Sequence, residues 1–380
     1  MKISSHIVRK GAKMTNQKII AAFGELMLRI AAPDKKRLLQ TLPGNLVATY
    51  GGGEANVCAS LGVLGMPVRY LTALPDNPVA SAAIAELRKL NVDVGHIDLQ
   101  SEGRMGIYFV EHGACQRGSG VWYDRKNSVI SELPPEKYDF EKMLSDVAHL
   151  HLTGITPALS RNAYETTLTL AALAKQKGCT ISVDLNFRKK LWNWEPGTGK
   201  CELAARCMGE ILQYADWIIG NEADAADVFG IIPANSDVEK GELDIDSYRS
   251  VAAQLAERFP QAKFIAFTLR GSASADWNSW GGMLYDCSSG SVFFAPLDEK
   301  GSYQPYEIRD IVDRFGGGDS FCAGLIYALY NEKYSAPATA VNFAVAASCL
   351  KHTVEGDYNI VSEKEISALM NGGGSGRVVR

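Results

Sequence analysis

The chain has 380 residues, of which 46% are hydrophobic and 22% are charged, and its formal net charge is −4 at pH 7. A chain of this length and composition can bury a large core without disulfide bonds or a structural metal, in two or three domains or in one large α/β domain. The mildly acidic balance argues against a dedicated nucleic-acid-binding protein, although a few local arginines would still hold a small anionic ligand.

The two ends of the chain predict flexible segments. Residues 1–13 carry several basic side chains with little periodicity, and residues 371–380 are rich in glycine, so we expect both to be tails around a core at 14–370. The apolar run at 19–23 is too short for a signal peptide, and no apolar run is long enough to span a membrane. Eight scattered cysteines without a Cys-x-x-Cys pair are typical of reduced thiols. We therefore expect a cytoplasmic protein that contacts neither membrane nor nucleic acid.

Short β-type runs alternate with helical patterns through most of the chain. This alternation is typical of βαβ units, which build a mainly parallel sheet covered by helices on both faces. The sequence therefore predicts a three-layer α/β/α core. The predicted strands span 18–23, 68–74, 147–152, 179–184, 217–219 and 263–269, and the predicted helices span 55–64, 79–90, 163–176, 203–213 and 247–258.

Two segments, 25–51 and 105–129, break this alternation because they are strand-like without intervening helices. Four strands from these segments would form a small antiparallel sheet that projects from the core. An apolar face of a small sheet is unfavourable when it is exposed to water. We therefore expect the sheet to be a lid over a ligand and to contact a second copy of the chain. The four strands are predicted at 26–30, 46–50, 105–111 and 121–124.

A first glycine cluster, Gly51-Gly52-Gly53, leads into a predicted helix that contains Asn56. The cluster lacks the Gly-Lys-Ser/Thr of a Walker A loop. It also lacks the Gly-x-Gly-x-x-Gly pattern of a dinucleotide-binding turn, which disfavours a nicotinamide-dependent dehydrogenase. Because glycine-rich turns are common, this cluster alone does not define a function.

A second glycine cluster lies in residues 311–321, Ile-Val-Asp-Arg-Phe-Gly-Gly-Gly-Asp-Ser-Phe. Apolar residues at helical spacing follow the glycines, which predicts a turn that opens a helix. Free N–H groups at a helix N-terminus attract anions, and glycine lets a phosphate approach the backbone. A carboxylate at Asp319 is well placed there to accept a proton as the phosphate arrives. The alternative is that Asp319 caps the helix and the glycines only form a tight turn.

Together, the two clusters resemble the paired motifs of the ribokinase-like (PfkB) carbohydrate kinase family, Gly-Gly-x-x-x-Asn and Asp-x-x-Gly-x-Gly-Asp. The resemblance covers about residues 18–369 and implies a ribokinase-like core with a β-sheet lid. Within the family, several further segments look like those of 2-keto-3-deoxygluconate kinases. These segments are Gly24-Glu25 and residues 106–109, 123–125, 183–192 and 349–353.

The resemblance implies an ATP-dependent, Mg²⁺-requiring kinase that phosphorylates the 6-hydroxyl of 2-dehydro-3-deoxy-D-gluconate. By analogy, Asp319 takes the proton from the acceptor hydroxyl, and the amides of Gly316, Gly317 and Gly318 form the anion hole. The usual motif has threonine and alanine where this chain has Arg314 and Gly317. The sequence assigns no role to Arg314.

The resemblance also implies a nucleotide site and two cation sites. Asn221 and Asp224 stand where the family carries Asn-x-x-Glu, a motif linked to Mg²⁺ and its water shell, and a solvated acidic helix start is the alternative. Asp313 is expected to help hold a monovalent cation such as K⁺. The residues expected around ATP are Asn221, Thr268, Arg270, Gly271, Gly316, Gly318, Asn342 and Ala346.

A keto-deoxy sugar acid carries a carboxylate, so its site should present guanidinium groups for bidentate pairing. Arg188, just after a predicted strand, and Arg125, in the predicted lid, are the candidates, and a solvated surface charge is the alternative for each. The other residues expected around the sugar are Gly52, Gly53, Asn56, Tyr108, Tyr123 and Asp319.

Two other functions are consistent with the same sequence. A neutral-sugar kinase of the fructokinase or ribokinase type would share the fold and both glycine motifs. A sugar- or nucleotide-sensing protein would use the same scaffold without turnover. Comparing activity on the keto acid with activity on fructose distinguishes a keto-acid kinase from a neutral-sugar kinase. Release of ADP distinguishes a kinase from a sensing protein.

Overall fold

The computed structural model describes residues 18–231 and 245–372. The predicted tail at 1–13 lies outside the described residues, as does the predicted tail at 371–380 from residue 373 onward. Within the described ranges, the structure has no helix with the length and apolar character needed to cross a membrane.

The strands and helices alternate over most of the chain. In chain order the strands are β1 (Ile19–Phe23), β2 (Met27–Ala31), β3 (Val47–Gly51), β4 (Val68–Leu71), β5 (Ala73–Pro75), β6 (Val92–Asp93), β7 (Asp98–Gln100), β8 (Gly106–Glu111), β9 (Gly120–Asp124), β10 (Val147–Thr153), β11 (Thr180–Asp184), β12 (Trp217–Gly220), β13 (Phe264–Ser272), β14 (Asn278–Asp286), β15 (Ser291–Ala295) and β16 (Tyr306–Ile308). The helices are α1 (Leu38–Thr41), α2 (Gly53–Val63), α3 (Pro78–Lys89), α4 (Val129–Glu132), α5 (Phe140–Met143), α6 (Arg161–Gln176), α7 (Lys200–Leu212), α8 (Glu222–Phe229), α9 (Ile245–Arg258), α10 (Gly317–Tyr330), α11 (Pro337–Lys351) and α12 (Glu363–Met370).

A ten-stranded sheet forms the centre of the molecule, in the order β15-β14-β13-β12-β11-β10-β1-β4-β6, with β16 paired to β14. From β6 to β13 all neighbouring strands are parallel, whereas β14, β15 and β16 are antiparallel. The predicted three-layer core is confirmed, because apolar clusters cover both faces of the sheet. One cluster contains buried side chains of α6, α7 and α9, and the other contains those of α2, α3, α10 and α11. The sequence analysis did not anticipate β14 to β16.

A histidine pair joins two strands of this sheet. Nε2 of His149 and Nδ1 of His151 each lie 2.8 Å from the Ser182 hydroxyl oxygen, and all three residues are buried. Burial lowers the pKa of both histidines, which therefore stay neutral at physiological pH. The pair is a polar link between β10 and β11.

A separate four-stranded sheet has the order β3-β2-β8-β9 and lies in the two segments predicted to form a lid. It differs from the prediction in one respect, because β2 and β8 are parallel rather than antiparallel. Between these strands the chain returns to the core and forms α2 to α3, so both strands leave the core in the same direction. A single helical turn, α1, also separates β2 from β3.

The two faces of this four-stranded sheet differ in burial. Alternate residues of β2 and β8, including Met27, Arg29 and Tyr108, are buried against the core. The intervening residues, such as Ile30 and Phe109, are only partly buried. Period-two alternation therefore gives the sheet an inner face toward the core and an outer apolar face.

Candidate active site

Two cavities meet at the carboxyl ends of the central strands, where side chains from successive parallel strands converge. The smaller cavity, of about 90 Å³, lies under the four-stranded sheet, and the larger, of about 460 Å³, lies beside β12 and β13. They share Asn186, Arg188, Phe315, Gly316 and Asp319. The smaller cavity is also lined by Glu25, Met27, Gly52, Gly53, Glu54, Asn56, Tyr108, Tyr123, Arg125, Ile155 and Asp357. The larger is also lined by Asp184, Ile219, Gly220, Asn221, Ala223, Asp224, Thr268, Arg270, Trp280, Arg314, Gly317, Gly318 and Cys322.

The turn between the cavities depends on the glycine that immediately precedes α10. Gly316 has φ 75°, in the left-handed region, and a Cβ atom there would lie 2.1 Å from the Asp357 carbonyl oxygen. Only glycine fits this position. The helix starts at Gly317, so the first amides of α10, including that of Gly318, face the cavities without intrahelical acceptors. The turn is therefore suited to holding an anion.

Asp319 is the third residue of α10 and lies at the junction of both cavities. The helix cap is Gly316, so the alternative that Asp319 is the N-cap is wrong. Nδ2 of Asn56 donates a hydrogen bond of 2.6 Å to Asp319 Oδ2. Burial raises the pKa of Asp319 to about 6, and the bond from Asn56 opposes that rise.

Asn56 connects the first glycine cluster to this carboxylate. Its Oδ1 accepts a 3.3 Å hydrogen bond from the amide of Gly52, while its Nδ2 donates to Asp319. Glycine is required at 52, because a Cβ there would lie 2.0 Å from the Glu25 carbonyl oxygen. Asn56 was predicted only as a sugar contact, and the structure shows that its amide orients Asp319.

The two arginines predicted to bind a carboxylate lie in different environments. Arg125 is 8% exposed and forms an ion pair with Glu25, in which Nε donates at 2.7 Å. Ser128 donates to the other oxygen of Glu25. Arg188 is exposed to both cavities, and among the described residues its guanidinium has no hydrogen bond or ion pair. Arg188 is therefore the guanidinium that is free to bind an anionic ligand.

Three acidic residues in the smaller cavity were missed by the sequence analysis. Glu25 belongs to the Gly24-Glu25 motif but was given no role. Glu54 is fully buried behind the first glycine cluster and accepts hydrogen bonds from Thr153 and Thr156, and burial raises its pKa to about 7. Asp357 lies in the loop between α11 and α12, where no motif marked it.

Carboxylates also gather in the larger cavity. Asp184 is buried, and burial together with the charges of Asp224 and Asp319 raises its pKa well above the usual value. Hard oxygen donors of this kind suit Mg²⁺, which keeps most of its waters. Among the described residues no three acidic, histidine or cysteine side chains are close enough to hold an ion directly. The oxygen donors of Asp184 and Asp224 fit the chemistry of Mg²⁺ and its water shell, and Asp184 is a candidate that the sequence analysis did not name.

Asn221 and Asp224 form a capping box at the start of α8. Asn221 Oδ1 accepts from the Asp224 amide at 2.8 Å, and Asp224 Oδ2 accepts from the Asn221 amide at 3.3 Å. Asp224 Oδ1 also accepts from the Phe187 amide at 3.0 Å. The motif therefore caps α8, but Asp224 is buried rather than solvated, and both residues line the larger cavity.

The predicted nucleotide contacts divide into two groups. Thr268 and Arg270, in the second half of β13, line the larger cavity together with the glycine turn. Gly271, Asn342 and Ala346 line neither cavity. Ala346 is fully buried in the apolar core between α11 and its neighbours, and its contact with the nucleotide stays a prediction.

Asp313 lies behind the glycine turn and is 1% exposed. Its Oδ2 accepts from Arg29 at 2.7 Å and from the Gly356 amide at 3.0 Å, and its Oδ1 accepts from the Phe315 amide at 3.0 Å. Arg29 also bonds Asp357 at 2.5 Å. A monovalent cation at Asp313 would thus have to compete with a buried guanidinium.

Comparisons with known proteins place the chain in a family. The family described as pfkB family carbohydrate kinase matches residues 17–364. The crystal structure of 2-dehydro-3-deoxygluconokinase from Thermotoga maritima is similar to this chain with a TM-score of 0.83 and 38% identity, covering 93% of this chain and 100% of that one.

Two curated relatives extend the comparison. The 2-dehydro-3-deoxygalactonokinase of Haloferax volcanii is 28% identical over 94% of this chain and 98% of its own length. The 2-dehydro-3-deoxygluconokinase of Thermoproteus tenax is 27% identical over 84% of each chain.

Proposed function

Because this chain belongs to the pfkB family of carbohydrate kinases, we propose that it transfers the γ-phosphoryl group of ATP to the 6-hydroxyl of 2-dehydro-3-deoxy-D-gluconate. The single observation that carries the proposal is the position of Asp319. Its carboxylate lies where a smaller, lid-covered cavity meets a larger one, beside the free amides that begin α10. A sugar hydroxyl in the first cavity and a phosphate in the second would meet at this side chain.

The reaction follows from this arrangement. The sugar oxygen forms a bond to the γ-phosphorus while the bond from that phosphorus to the ADP oxygen breaks, and the hydroxyl proton passes to Asp319. The amides of Gly316, Gly317 and Gly318 stabilise the charge on the transferred group. In a loose phosphoryl-transfer transition state the proton leaves late, so the position of the carboxylate matters more than its basicity. Inner-face lid residues exclude water, which would otherwise accept the phosphoryl group.

The nucleotide and its metal occupy the larger cavity in this proposal. Thr268 and Arg270 are placed to contact phosphates. Asp184 and Asp224 would hold the water shell of Mg²⁺, and the ion when bound neutralises charge on the phosphate oxygens. The requirement for K⁺ stays a prediction tied to Asp313.

The sugar-acid assignment rests on Arg188. A keto-deoxy acid brings one carboxylate into the smaller cavity. Arg188 offers a guanidinium there that has no hydrogen bond or ion pair within residues 18–231 and 245–372, whereas Arg125 is already paired with Glu25. A neutral sugar would bring no carboxylate for Arg188 to bind in the smaller cavity. The names of the similar proteins include both the gluconate and the galactonate epimers, so both belong in a test.

We also propose that the four-stranded sheet contacts a second copy of the chain through its outer face. Ile30, Phe109 and Trp122 are cross-strand neighbours there, and Trp122 is 49% exposed. An apolar face of this kind is unfavourable in water, and a second copy of the same sheet would cover it.

The direct test is an ADP-release assay with the full-length chain, ATP and Mg²⁺. The substrates are 2-dehydro-3-deoxy-D-gluconate, its galactonate epimer, fructose and ribose. We expect the highest kcat/KM with one of the two keto acids and a 6-phosphate product by NMR. A higher value with fructose would favour the neutral-sugar kinase, and no ADP release with any sugar would favour a sensing protein.

A matched pair of arginine variants tests the carboxylate contact. Loss of a charged hydrogen bond in Arg188→Ala should raise KM for the keto acid roughly ten- to a hundredfold and change KM for fructose little. Arg270→Ala is the control, because Arg270 lines only the larger cavity, and it should affect KM for ATP instead. An equal loss with both sugars in Arg188→Ala would contradict the role of Arg188.

A further inference from the structure

Behind the glycine turn lies a cluster of four charged side chains that have no step in the proposed reaction. Its acidic members are Asp313 and Asp357, its basic members are Arg29 and Lys351, and each residue is at most 8% exposed. Arg29 comes from β2, Asp313 from the segment before α10, and the other two from the end of α11 and the loop after it. With all four side chains ionised, the cluster carries no net charge.

Arg29 bridges the two carboxylates. Its Nη2 donates to Asp313 Oδ2 at 2.7 Å, and its Nη1 donates to Asp357 Oδ1 at 2.5 Å. The centre of the Phe315 ring lies 5.0 Å from the central carbon of the guanidinium. Burial acts to lower the pKa of Arg29, but the charges of Asp357 and Asp313 raise it above its usual value. Arg29 is therefore a fixed cation.

Lys351 supplies the second cation. It is the last residue of α11, its side chain is fully buried, and its Nζ donates to the Val354 carbonyl oxygen at 3.0 Å. A Cβ at Gly316 would lie 3.4 Å from Lys351 Cε, so the end of this side chain packs directly behind the glycine turn. Burial lowers the pKa of Lys351, and the charges of Asp313 and Asp357 oppose that change and favour the ammonium form.

The oxygen atoms that would hold a metal ion at Asp313 are already engaged. Its carboxylate accepts three hydrogen bonds, from Arg29, Gly356 and Phe315. The Val354 carbonyl oxygen nearby accepts from Lys351. Because a monovalent cation such as K⁺ needs several oxygen atoms to replace its hydration shell, these residues do not fit the K⁺ site that the family resemblance predicts at Asp313.

We propose that Arg29 and Lys351 are built-in counter-cations of the glycine turn, so that this protein needs no monovalent metal ion. They neutralise Asp313 and Asp357 and hold the turn in the conformation that presents the first amides of α10. A bound ion would do this only when present, whereas side-chain cations are present in every folded molecule. The inference opposes the K⁺ requirement predicted from the sequence, and one experiment decides between the two.

Both residues act through the turn rather than on a substrate. Neither Arg29 nor Lys351 lines either cavity, so they are positioning residues. The kinetic consequences of the proposal rest on the kinase function above, whereas the absence of K⁺ binding does not. Measurements of both turnover and thermal unfolding therefore separate a failure of this inference from a failure of the proposed function.

The first test compares the wild type in potassium chloride and in choline chloride of equal concentration, with ATP as its Tris salt, Mg²⁺ and the better of the two keto acids. Choline is too large to replace K⁺ at an enclosed site. We expect the same kcat/KM and the same Tm in both salts. Activation of the wild type by K⁺, or a higher Tm in K⁺ than in choline, would overturn the proposal.

The second test removes one of the two cations. Lys351→Ala leaves a space beside two carboxylates that are then balanced by Arg29 alone. In choline chloride kcat should fall by roughly ten- to a hundredfold, because the turn loses part of its electrostatic support. Potassium or ammonium chloride should restore part of this loss. K⁺ should also raise the Tm of the variant by roughly 2–4 °C, because an ion that binds only the folded state stabilises it.

The matched control is Lys333→Ala, because Lys333 is 62% exposed and bonds Glu363 at the surface. Its turnover and Tm should not depend on K⁺. A folded Lys351→Ala variant that responds to K⁺ in neither measurement would overturn the role of Lys351. If that variant does not fold, the wild-type comparison decides the proposal. Absence of phosphoryl transfer to every sugar would instead overturn the proposed function, and thermal unfolding would still test K⁺ binding.

Discussion

At the scale of single residues, the site centres on a carboxylate held by one amide. Asn56 donates to Asp319 from a helix that starts at the first glycine cluster, and Asp319 belongs to the second. The bond fixes one oxygen of Asp319, so the other oxygen is left to accept a proton. The proposed roles of Asp319 as the base and of Asn56 as its orienting residue can therefore be tested by separate substitutions.

Asp319→Asn should lower kcat by roughly a thousand- to ten-thousandfold, because the general base is removed, while binding of nucleotide stays near that of the wild type. The folded protein should also become more stable at pH 7. The pKa of Asp319 is raised in the folded state, so its ionised form disfavours folding at pH values above the ordinary aspartate pKa. Steady-state kinetics and thermal unfolding check both effects. A variant with wild-type turnover would remove Asp319 from the mechanism.

The pH dependence of kcat/KM should show an acid limb near pH 6. Asp319 with a pKa of about 6 is protonated below that pH and cannot accept a proton, so the rate should fall tenfold per pH unit. Asn56→Ala removes the bond that lowers this pKa and should shift the limb to higher pH. Asn162→Ala, at a surface amide that bonds the Glu132 carbonyl oxygen, is the control. A limb that stays in place in Asn56→Ala would contradict the assignment.

At the scale of secondary structure elements, the packing of α10 on α11 positions the glycine turn that we propose to be catalytic. Gly324 lies in the middle of α10, and a Cβ there would lie 2.8 Å from the Ala344 Cα and 3.2 Å from the Ala347 Cβ. The two helices therefore approach more closely than a larger residue allows. Because Asp319 is in the first turn of α10, displacement of this helix would displace the base.

A pair of glycine-to-alanine variants tests this contact. Gly324→Ala should lower the free energy of unfolding by roughly 1–3 kcal/mol, because the new methyl group forces the helices apart. Gly209→Ala, in α7 where no atom lies within 4 Å of the added Cβ, should raise it by roughly 0.5–1 kcal/mol through helix propensity. Urea denaturation measures both changes. Stabilisation by Gly324→Ala would show that the contact is not tight.

At the scale of the whole molecule, the two faces of the lid sheet have different surroundings. Its inner face covers the smaller cavity, and the apolar outer face carries Ile30, Phe109 and Trp122. The sheet that closes the site would therefore also join two copies of the chain in the proposed assembly.

Light scattering on the 41.2 kDa chain should show an oligomer. A buried aspartate at the centre of the outer face would disfavour association, so Phe109→Asp should dissociate the protein into monomers. Leu297→Asp is the control, because Leu297 is 53% exposed in a loop outside the lid sheet and its substitution should leave the oligomer intact. A monomeric wild type would contradict the proposed interface.

Much of the fold could be predicted from the sequence, because the patterns that indicate helices, strands and turns involve residues close together in the chain. Alternating strand and helix patterns predicted the parallel sheet and its two helical layers, and the glycines before Asp319 predicted the turn that opens α10. The antiparallel strands β14 to β16 were missed because no helix alternates with them. The parallel pairing of β2 with β8 was missed because strand direction depends on where the chain returns to the core.

By itself, the sequence determined the α/β core, the two glycine turns and the residue types that meet at the site, because backbone conformation and hydrophobic periodicity depend on near neighbours. Only the tertiary structure decided how those residues are paired. Asn56 and Asp319 are 263 positions apart, and Glu25 and Arg125 are 100 apart. Which carboxylate neutralises which guanidinium is decided by the packing of distant segments. That packing pairs Arg125 with Glu25 and leaves the Arg188 guanidinium without an ion pair in the described part of the chain.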